Sequence, residues 1–356
     1  MRFPTRRLAA GRRADPASQD PHRPTDHHDP TSGTRRPTRR WRARTAVGAT
    51  VIAMLATASP ALAAGGTSAA APTTGHVYWA TIDLNHLPGT IGRATLNGTM
   101  VNQSFIPGAT QPFGSNDVTV DATHIYWVDD RAGTIGRANR DGTGADPNFI
   151  TGLLDRLTGQ VPIVTIAATP GSVAVDAAHI YWTDYANGTI GRANLDGSRV
   201  NRKFITGADA PVSVAVDTGH VYWTNTQPGT IGRANVDGGG VNQNFIAGVG
   251  SVIPTGGVAV DAAHLYWANG LTIGRANLDG TTVDPSFITG AGTATDVAID
   301  AGHVYWSNEG ILLPGMGQVS GVGRADLDGS RVNPTFITLP STSLAHGVAV
   351  DNTATP

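Results

Sequence analysis

Six copies of a His-aliphatic-Tyr-Trp segment, begun at His76, His124, His179, His220, His264 and His303, are flanked by short β-branched runs and by Asn-Gly, Asp-Gly or similar turns. That pattern predicts an all-β chain, a six-bladed β-propeller of four-stranded antiparallel blades, because a repeat of about 40 to 50 residues built from short strands cannot bury its faces alone. Two further observations agree. No stretch carries a 3.6-residue apolar period, so helix should be scarce. The first repeat also lacks a segment that the end of the chain supplies.

The third repeat shows each element in order. Val173 to Asp176 is the first strand, His179 to Asp184 the second, Thr189 to Asn194 the third and Val200 to Ile205 the fourth. Each is short, rich in β-branched and aromatic residues, and bounded by Asp, Asn and Gly. Both alternations are apolar, as a sheet covered on two faces requires. Gly92, Gly136, Gly191, Gly232, Gly274 and Gly323 interrupt the third strand. A strand glycine marks a close approach, and the expected neighbour is a large Tyr or Trp from the adjoining blade. The six arginines that follow these glycines are expected to pair with acidic neighbours between blades. The first repeat opens at His76 with no Val-Ala-Val-Asp before it, whereas Gly347 to Asp351 supplies that piece at the other end. The C-terminal segment should therefore close the ring as the innermost strand of the first blade, which removes two open edges.

Upstream of the repeats the composition changes. Residues 1–44 hold 12 of the 25 basic residues, all Arg, and read as a disordered Arg/Pro-rich leader. Residues 45–63 are an apolar run ending Ala61-Leu62-Ala63, which reads as a secretory signal peptide cleaved after Ala63. The alternative is an uncleaved N-terminal anchor. Thr38-Arg39-Arg40-Trp41 is similar to a twin-arginine signal but lacks the apolar pair after the arginines. Residues 64–75 read as a linker and 76–356 as the propeller. Without residues 1–63 the chain keeps 13 basic and 23 acidic residues, a net charge of about −10. That excludes a nucleic-acid partner, which demands a basic face, and it suits a soluble, monomeric exported protein with no stable membrane insertion. The absence of cysteine removes disulfides and thiolate chemistry.

Tyr181-Trp182-Thr183-Asp184 and its flanking strands resemble the YWTD (class B) repeats of low-density-lipoprotein receptors, and the resemblance runs from residue 76 to 351. The last two positions drift, reading Ala80-Thr81, Val128-Asp129, Thr224-Asn225, Ala268-Asn269 and Ser307-Asn308. The resemblance implies six blades and an exported bacterial member of the family, and the chain also resembles exported bacterial propellers related to the streptogramin B lyase group. It carries over no ligand, since propellers host many functions.

Link lengths separate the two rims. In each complete repeat the first-strand Asp precedes the His by three residues, and the third-strand Arg precedes the fourth-strand Phe by twelve. Links 1–2 and 3–4 share one rim, which is thus invariant. On the other rim, Trp to the third-strand Ile or Val spans 12, 8, 8, 8, 6 and 16 residues, and fourth-strand Ile to the next Asp spans 15, 26, 12, 15, 12 and 14. Loops that vary on a rigid scaffold are where binding resides. The 2–3/4–1 rim is the expected working face, with Asp83, Asn85, His86, Asn116, Asp155 and Glu309 as its candidate ligand-binding residues.

Other candidates are weighed against plainer roles. The six repeated histidines are too far apart to meet one zinc ion and are expected to pack beside the Asp three residues earlier. Asp121, Asp176, Asp217, Asp261, Asp300 and Asp351 are the metal candidates, for Ca or Mg at one channel mouth. Turn capping explains them equally well. Asn194 to Gly197 is a hairpin turn rather than a calcium loop. For catalysis His86, Glu309 and His346 are the candidates, as acid/base partners on the variable rim. No Gly-x-Ser-x-Gly elbow or His-Glu-x-x-His occurs. The reading is a secreted binding module whose partner is a protein, a cell-wall glycan or a small ligand, with no resident cofactor required. The alternative is an enzyme at the channel mouth, a streptogramin-type lyase or a metal-dependent lactonase.

Overall fold

The computed structural model describes residues 75–111, 117–154, 170–226, 229–249, 256–313 and 317–351. The leader, the apolar segment and the linker up to residue 74 lie outside the described residues, as do Asn116 and Asp155. Among the described residues every regular element is a strand, and no helix long and apolar enough to cross a membrane occurs.

In chain order the first strands are β1 (His76–Asp83), β2 (Ile91–Thr95) and β3 (Asn102–Ile106). The second repeat forms β4 (Val118–Val120), β5 (His124–Asp129), β6 (Thr134–Asn139) and β7 (Asp146–Ile150). The third forms β8 (Pro170–Val175), β9 (His179–Asp184), β10 (Thr189–Asn194) and β11 (Asn201–Thr206). The fourth forms β12 (Pro211–Val216), β13 (His220–Asn225), β14 (Thr230–Asn235) and β15 (Asn242–Ala247). Then follow β16 (Val258–Val260), β17 (His264–Asn277), β18 (Asp284–Ile299), β19 (His303–Leu313), β20 (Gly317–Asp326), β21 (Asn333–Thr338) and β22 (Ser343–Val350).

These strands make a β-propeller of antiparallel blades, but in five hydrogen-bonded sheets rather than six: four sheets of four strands and one of six, β16 to β21. The expectation of six separate sheets is therefore met only in part. The two repeats of that last sheet are joined at their turns. Trp267 reaches Ile273 in six residues, and the chain folds back within β17 at Gly270, φ 65°, so that Trp267 still faces Gly274 as in the other repeats. The link after Ile288 turns within β18, at Gly290 and Gly292, between the Phe287 segment and the Val297 segment. Gly270 pairs with Ala294, which bridges the two repeats into one sheet. β17 and β18 thus carry two repeat segments each.

The tail strand sits where the sequence places it. β22 pairs antiparallel with β1, Trp79 opposite Val348 and Asp83 opposite Ser343, in the order β22-β1-β2-β3.

Packing follows one rule repeated round the molecule. The buried Tyr of each repeat shares a cluster with the buried Trp of the next, as Tyr78 does with Trp127. The last repeat returns to the first, Tyr305 with Trp79. Truncating one such Trp to Ala should cost about 3–5 kcal/mol.

The strand glycines are explained differently from expectation. Trp182 stands directly across from Gly191 in its own blade, and a Cβ at Gly191 would overlap that indole. The neighbour is the cross-strand Trp of the same sheet, because the third strand passes beneath it. The arginines are likewise corrected. Each lies over the Phe of its own blade, Arg192 at 3.8 Å from the Phe204 ring centroid. Its Nη1 then donates to a carbonyl of the next blade, Arg192 to Val236 O at 2.9 Å and, across the seam, Arg324 to Leu96 O at 3.0 Å. Stacking leaves the guanidinium edge free for a fixed backbone acceptor.

Candidate functional site at one end of the axial cavity

The innermost strands β4, β8, β12, β16, β22 and the second half of β18 line one cavity of about 180 Å³. Its walls are aliphatic along most of its length. At the end reached by the 4–1 links, the residue preceding each Val-x-(Val/Ile)-Asp run reads Asp117, Ser172, Ser213, Gly257, Asp296 and Gly347.

This position ties neighbouring blades together. Each polar side chain accepts the first free N–H of the next inner strand: Val173 N to Asp117 Oδ2 at 2.9 Å, Val214 N to Ser172 Oγ at 3.2 Å, Val258 N to Ser213 Oγ at 3.0 Å and Val348 N to Asp296 Oδ2 at 2.9 Å. Gly257 and Gly347 cannot do this. The blade following each carries Asp, and Val118 N is taken by its own neighbour, Asp117 Oδ1, at 2.7 Å. A Cβ at Gly257 would overlap the Asp296 carboxylate, so the glycine also makes space.

Asp117 and Asp296 flank the blade of Gly347, and their side chains hydrogen-bond to each other. Asp117 is buried, whereas Asp296 keeps an edge toward the cavity. Burial first, then the charge of Asp117, pushes Asp296 well above the carboxylate range, against the opposing N–H groups of Val348 and Val297. Burial also raises Asp117, offset in part by the Ser172 hydroxyl, at 2.6 Å, and by the N–H groups of Val173 and Val118. Two carboxyls in contact cannot both ionise cheaply, so the pair shares one proton.

Sequence reasoning missed this pair. The signal was the departure from the repeat, two Asp among Ser and Gly at one position. What it could not convey is that ring closure brings Asp117 and Asp296 together.

The six strand-end aspartates are not in the cavity lining. All but Asp351 are folded onto their own turns. Asp176 Oδ1 accepts His179 N at 2.6 Å and Ala178 N at 2.7 Å, and its Oδ2 accepts the Tyr181 hydroxyl at 2.8 Å. The same pattern holds at Asp121, Asp217, Asp261 and Asp300. Burial acts to raise Asp121 and Asp176, but the backbone N–H groups and the Tyr hydroxyl outweigh it and leave both below the usual range. The tyrosines move up: burial, then the Asp261 charge, pushes Tyr266 up to about 12. The histidines lie beside these carboxylates as expected, His179 Nδ1 at 3.5 Å from Asp176 Oδ1 and His303 Nδ1 at 3.2 Å from Asp300 Oδ1. Among the described residues no group of three or more His, Cys, Asp or Glu is arranged to hold a metal ion.

Asp351, the closing aspartate, differs from the others. It accepts His76 N at 2.6 Å and the Tyr78 hydroxyl at 3.2 Å, and it also pairs with the Arg140 guanidinium of the second repeat.

On the variable rim, Glu309 Oε1 in β19 lies 3.7 Å from His346 Nε2 in β22. Two of the three candidates, Glu309 and His346, thus come together, since β22 adjoins β18 and β19 through Thr295 and Ser307, whose hydroxyls donate to the His346 carbonyl at 3.0 and 2.5 Å. Asp83 accepts Asn85 N at 2.7 Å in a local turn, and His86 occupies the left-handed region at φ 66°. Both Asn85 and His86 are exposed.

Blades of this form, with a Tyr-Trp second strand packed on a third-strand Gly, define the class as a β-propeller, and one of its repeats is similar to a known repeat family. Residues 178–218 match the family described as low-density lipoprotein receptor repeat class B. Among solved structures, a chain of a nidogen/laminin complex aligns with a TM-score of 0.54 at 19% identity, over 78% of this chain and 98% of that one. TolB from Acinetobacter baumannii aligns at 0.53 and 14% identity, over 79% and 67%. Virginiamycin B lyase from Staphylococcus aureus aligns at 0.46 and 17% identity, over 69% and 78%. No curated protein sequence matches the chain significantly.

Proposed function

We propose that the protein is an exported six-bladed propeller that binds a partner through its 2–3/4–1 rim. Six blades follow if the six-stranded sheet is two blades bridged at Gly270 and Ala294, which the six Tyr-to-Trp clusters support. The observation that carries the binding reading is the contrast in link length: every variable link falls on one rim and none on the other. That rim also exposes Leu84, Leu87 and Leu271, at 46%, 57% and 69%. Exposed apolar side chains on variable loops suit a protein or glycan partner. The neighbour from a nidogen/laminin complex is consistent with a propeller used for association.

Export is tested by the mass of the protein recovered outside the cell, expected to begin at Ala64. Binding is tested by charge substitution. The pair L84D/L87D and the single L271D should lose partners recovered from the medium of the producing cells, with melting unchanged. M100D and V241D, on the other rim, should keep them. The opposite result would move the working face. One observation favours a second reading, an acid/base enzyme: the Glu309–His346 contact beside the seam. Under it, E309Q would abolish turnover and leave association intact.

A further inference from the structure

The grooves between blades on the invariant rim contain a second feature. Two residues after the third-strand Ala, the repeats read Leu96, Arg140, Leu195, Val236, Leu278 and Leu327. The backbones are equivalent. Arg140 N and Val236 N donate to Thr123 O and Gly219 O in their own repeats, and Arg140 O and Val236 O accept from Arg93 and Arg192 of the preceding one. Only the side chains differ. The Arg140 guanidinium crosses the groove to the carboxylate of Asp351. The equivalent carboxylate for Val236 is Asp176, and the short valine does not reach it.

The space left is a groove of about 460 Å³, with Asp176 and Asp217 at its edges and Ala177, Ala178, Val216 and Val236 among its walls. The Asp176 and Asp217 side chains are 22% and 21% exposed, against 2% for Asp351, which Arg140 covers. We propose that this groove is a docking site for an arginine side chain presented by a partner protein. Its alkyl stem would lie on the apolar wall and its guanidinium would reach Asp176 from the side that Tyr181 leaves open. The molecule already contains the complex in miniature at Arg140 and Asp351. The 23 acidic against 13 basic residues beyond residue 63 favour a cationic partner. Arg suits the site better than Lys because its planar fork is weakly hydrated and directs several donors to one carboxylate.

The test uses acetyl-Gly-Arg-Gly-amide, with the citrulline peptide as its neutral isostere, titrated at low ionic strength and followed by NMR shifts of the Asp176 and Val236 amides. The Arg peptide should bind at least ten-fold more tightly than the citrulline peptide, and D176N should remove that advantage. V236R should place an intramolecular guanidinium on Asp176, abolish peptide binding and raise the melting temperature. Equal binding of the two peptides, or unchanged binding by a folded V236R, would overturn the proposal. Neither outcome touches the reading of the opposite rim, whose partners are lost through Leu84, Leu87 and Leu271.

Discussion

The two rims of this propeller solve the same problem, ending strands without leaving backbone groups unpaired, by opposite electrostatic means. On the invariant rim five of the six strand-end carboxylates are surrounded by N–H and hydroxyl donors from their own turns. Asp121 and Asp176 are held below the usual range there, the donors outweighing burial. On the variable rim Asp117 and Asp296 face each other; burial raises both, and the charge of Asp117 raises Asp296 further. The local solution is copied five times, because everything it needs lies within five residues, and the tail strand rebuilds it at Asp351 from His76 and Tyr78. The axial solution cannot, since only a few side chains fit at the centre. Repetition therefore belongs to the rim where contacts are local, and individuality to the rim where blades converge.

The largest test of this contrast is loss of the tail. Deleting residues 343–356 removes β22, the Trp79–Val348 pairing and the Val348 bond to Asp296 together. The deletion should abolish cooperative unfolding by circular dichroism, since β1 becomes an open edge. A variant that melts like the parent would show that closure contributes little.

Next in size is R140L, which gives the second repeat the residue found in its neighbours. Asp351 would stay buried without its cation, at a cost of about 3 kcal/mol in chemical denaturation. An unchanged midpoint would mean that His76 N and Tyr78 suffice.

The smallest effect, and the sharpest for the comparison, is the pH dependence of D296N. Free carboxyls ionise near pH ~4, whereas the folded pair holds its proton to higher pH. The stabilisation from this pair is complete below that unfolded value and is lost as pH rises through the raised folded value, with a slope of at most about 1.4 kcal/mol per pH unit. An amide at 296 donates the same hydrogen bond with no proton to lose. D296N should therefore gain on the parent as pH rises above ~4 and until the folded pair has ionised, read as the difference in melting temperature. Asp121 and Asp176 have the reverse sign: their contribution is present above pH ~4 and is lost as pH falls through their lowered folded values. A D296N curve parallel to the parent's would show that the pair does not share a proton.

Much of the fold was legible in the sequence, through local rules. Strand pairing, the Asp-capped turns and the closing role of Gly347 to Asp351 all follow from spacing and from one missing segment. Two local expectations failed because the residue types were right and the partner was wrong. The strand glycines make room for their own cross-strand Trp, and the arginines choose a carbonyl over a carboxylate. Asn116 and Asp155 lie outside the described residues, and Asp83 serves its own turn. The variable rim was identified from link lengths, but its most perturbed groups were not among its candidates.

Periodicity by itself determined the strands, their order in a blade and the seam, because each depends on hydrogen bonds and side-chain alternation within a few residues or on the repeat count. Only the tertiary structure decided that Asp117 meets Asp296, that Glu309 meets His346, and that Arg140 covers Asp351 while Val236 leaves Asp176 open. Those outcomes depend on how far apart neighbouring blades stand around the axis. That distance is set by the packed Tyr and Trp between them, and no spacing along the chain encodes it.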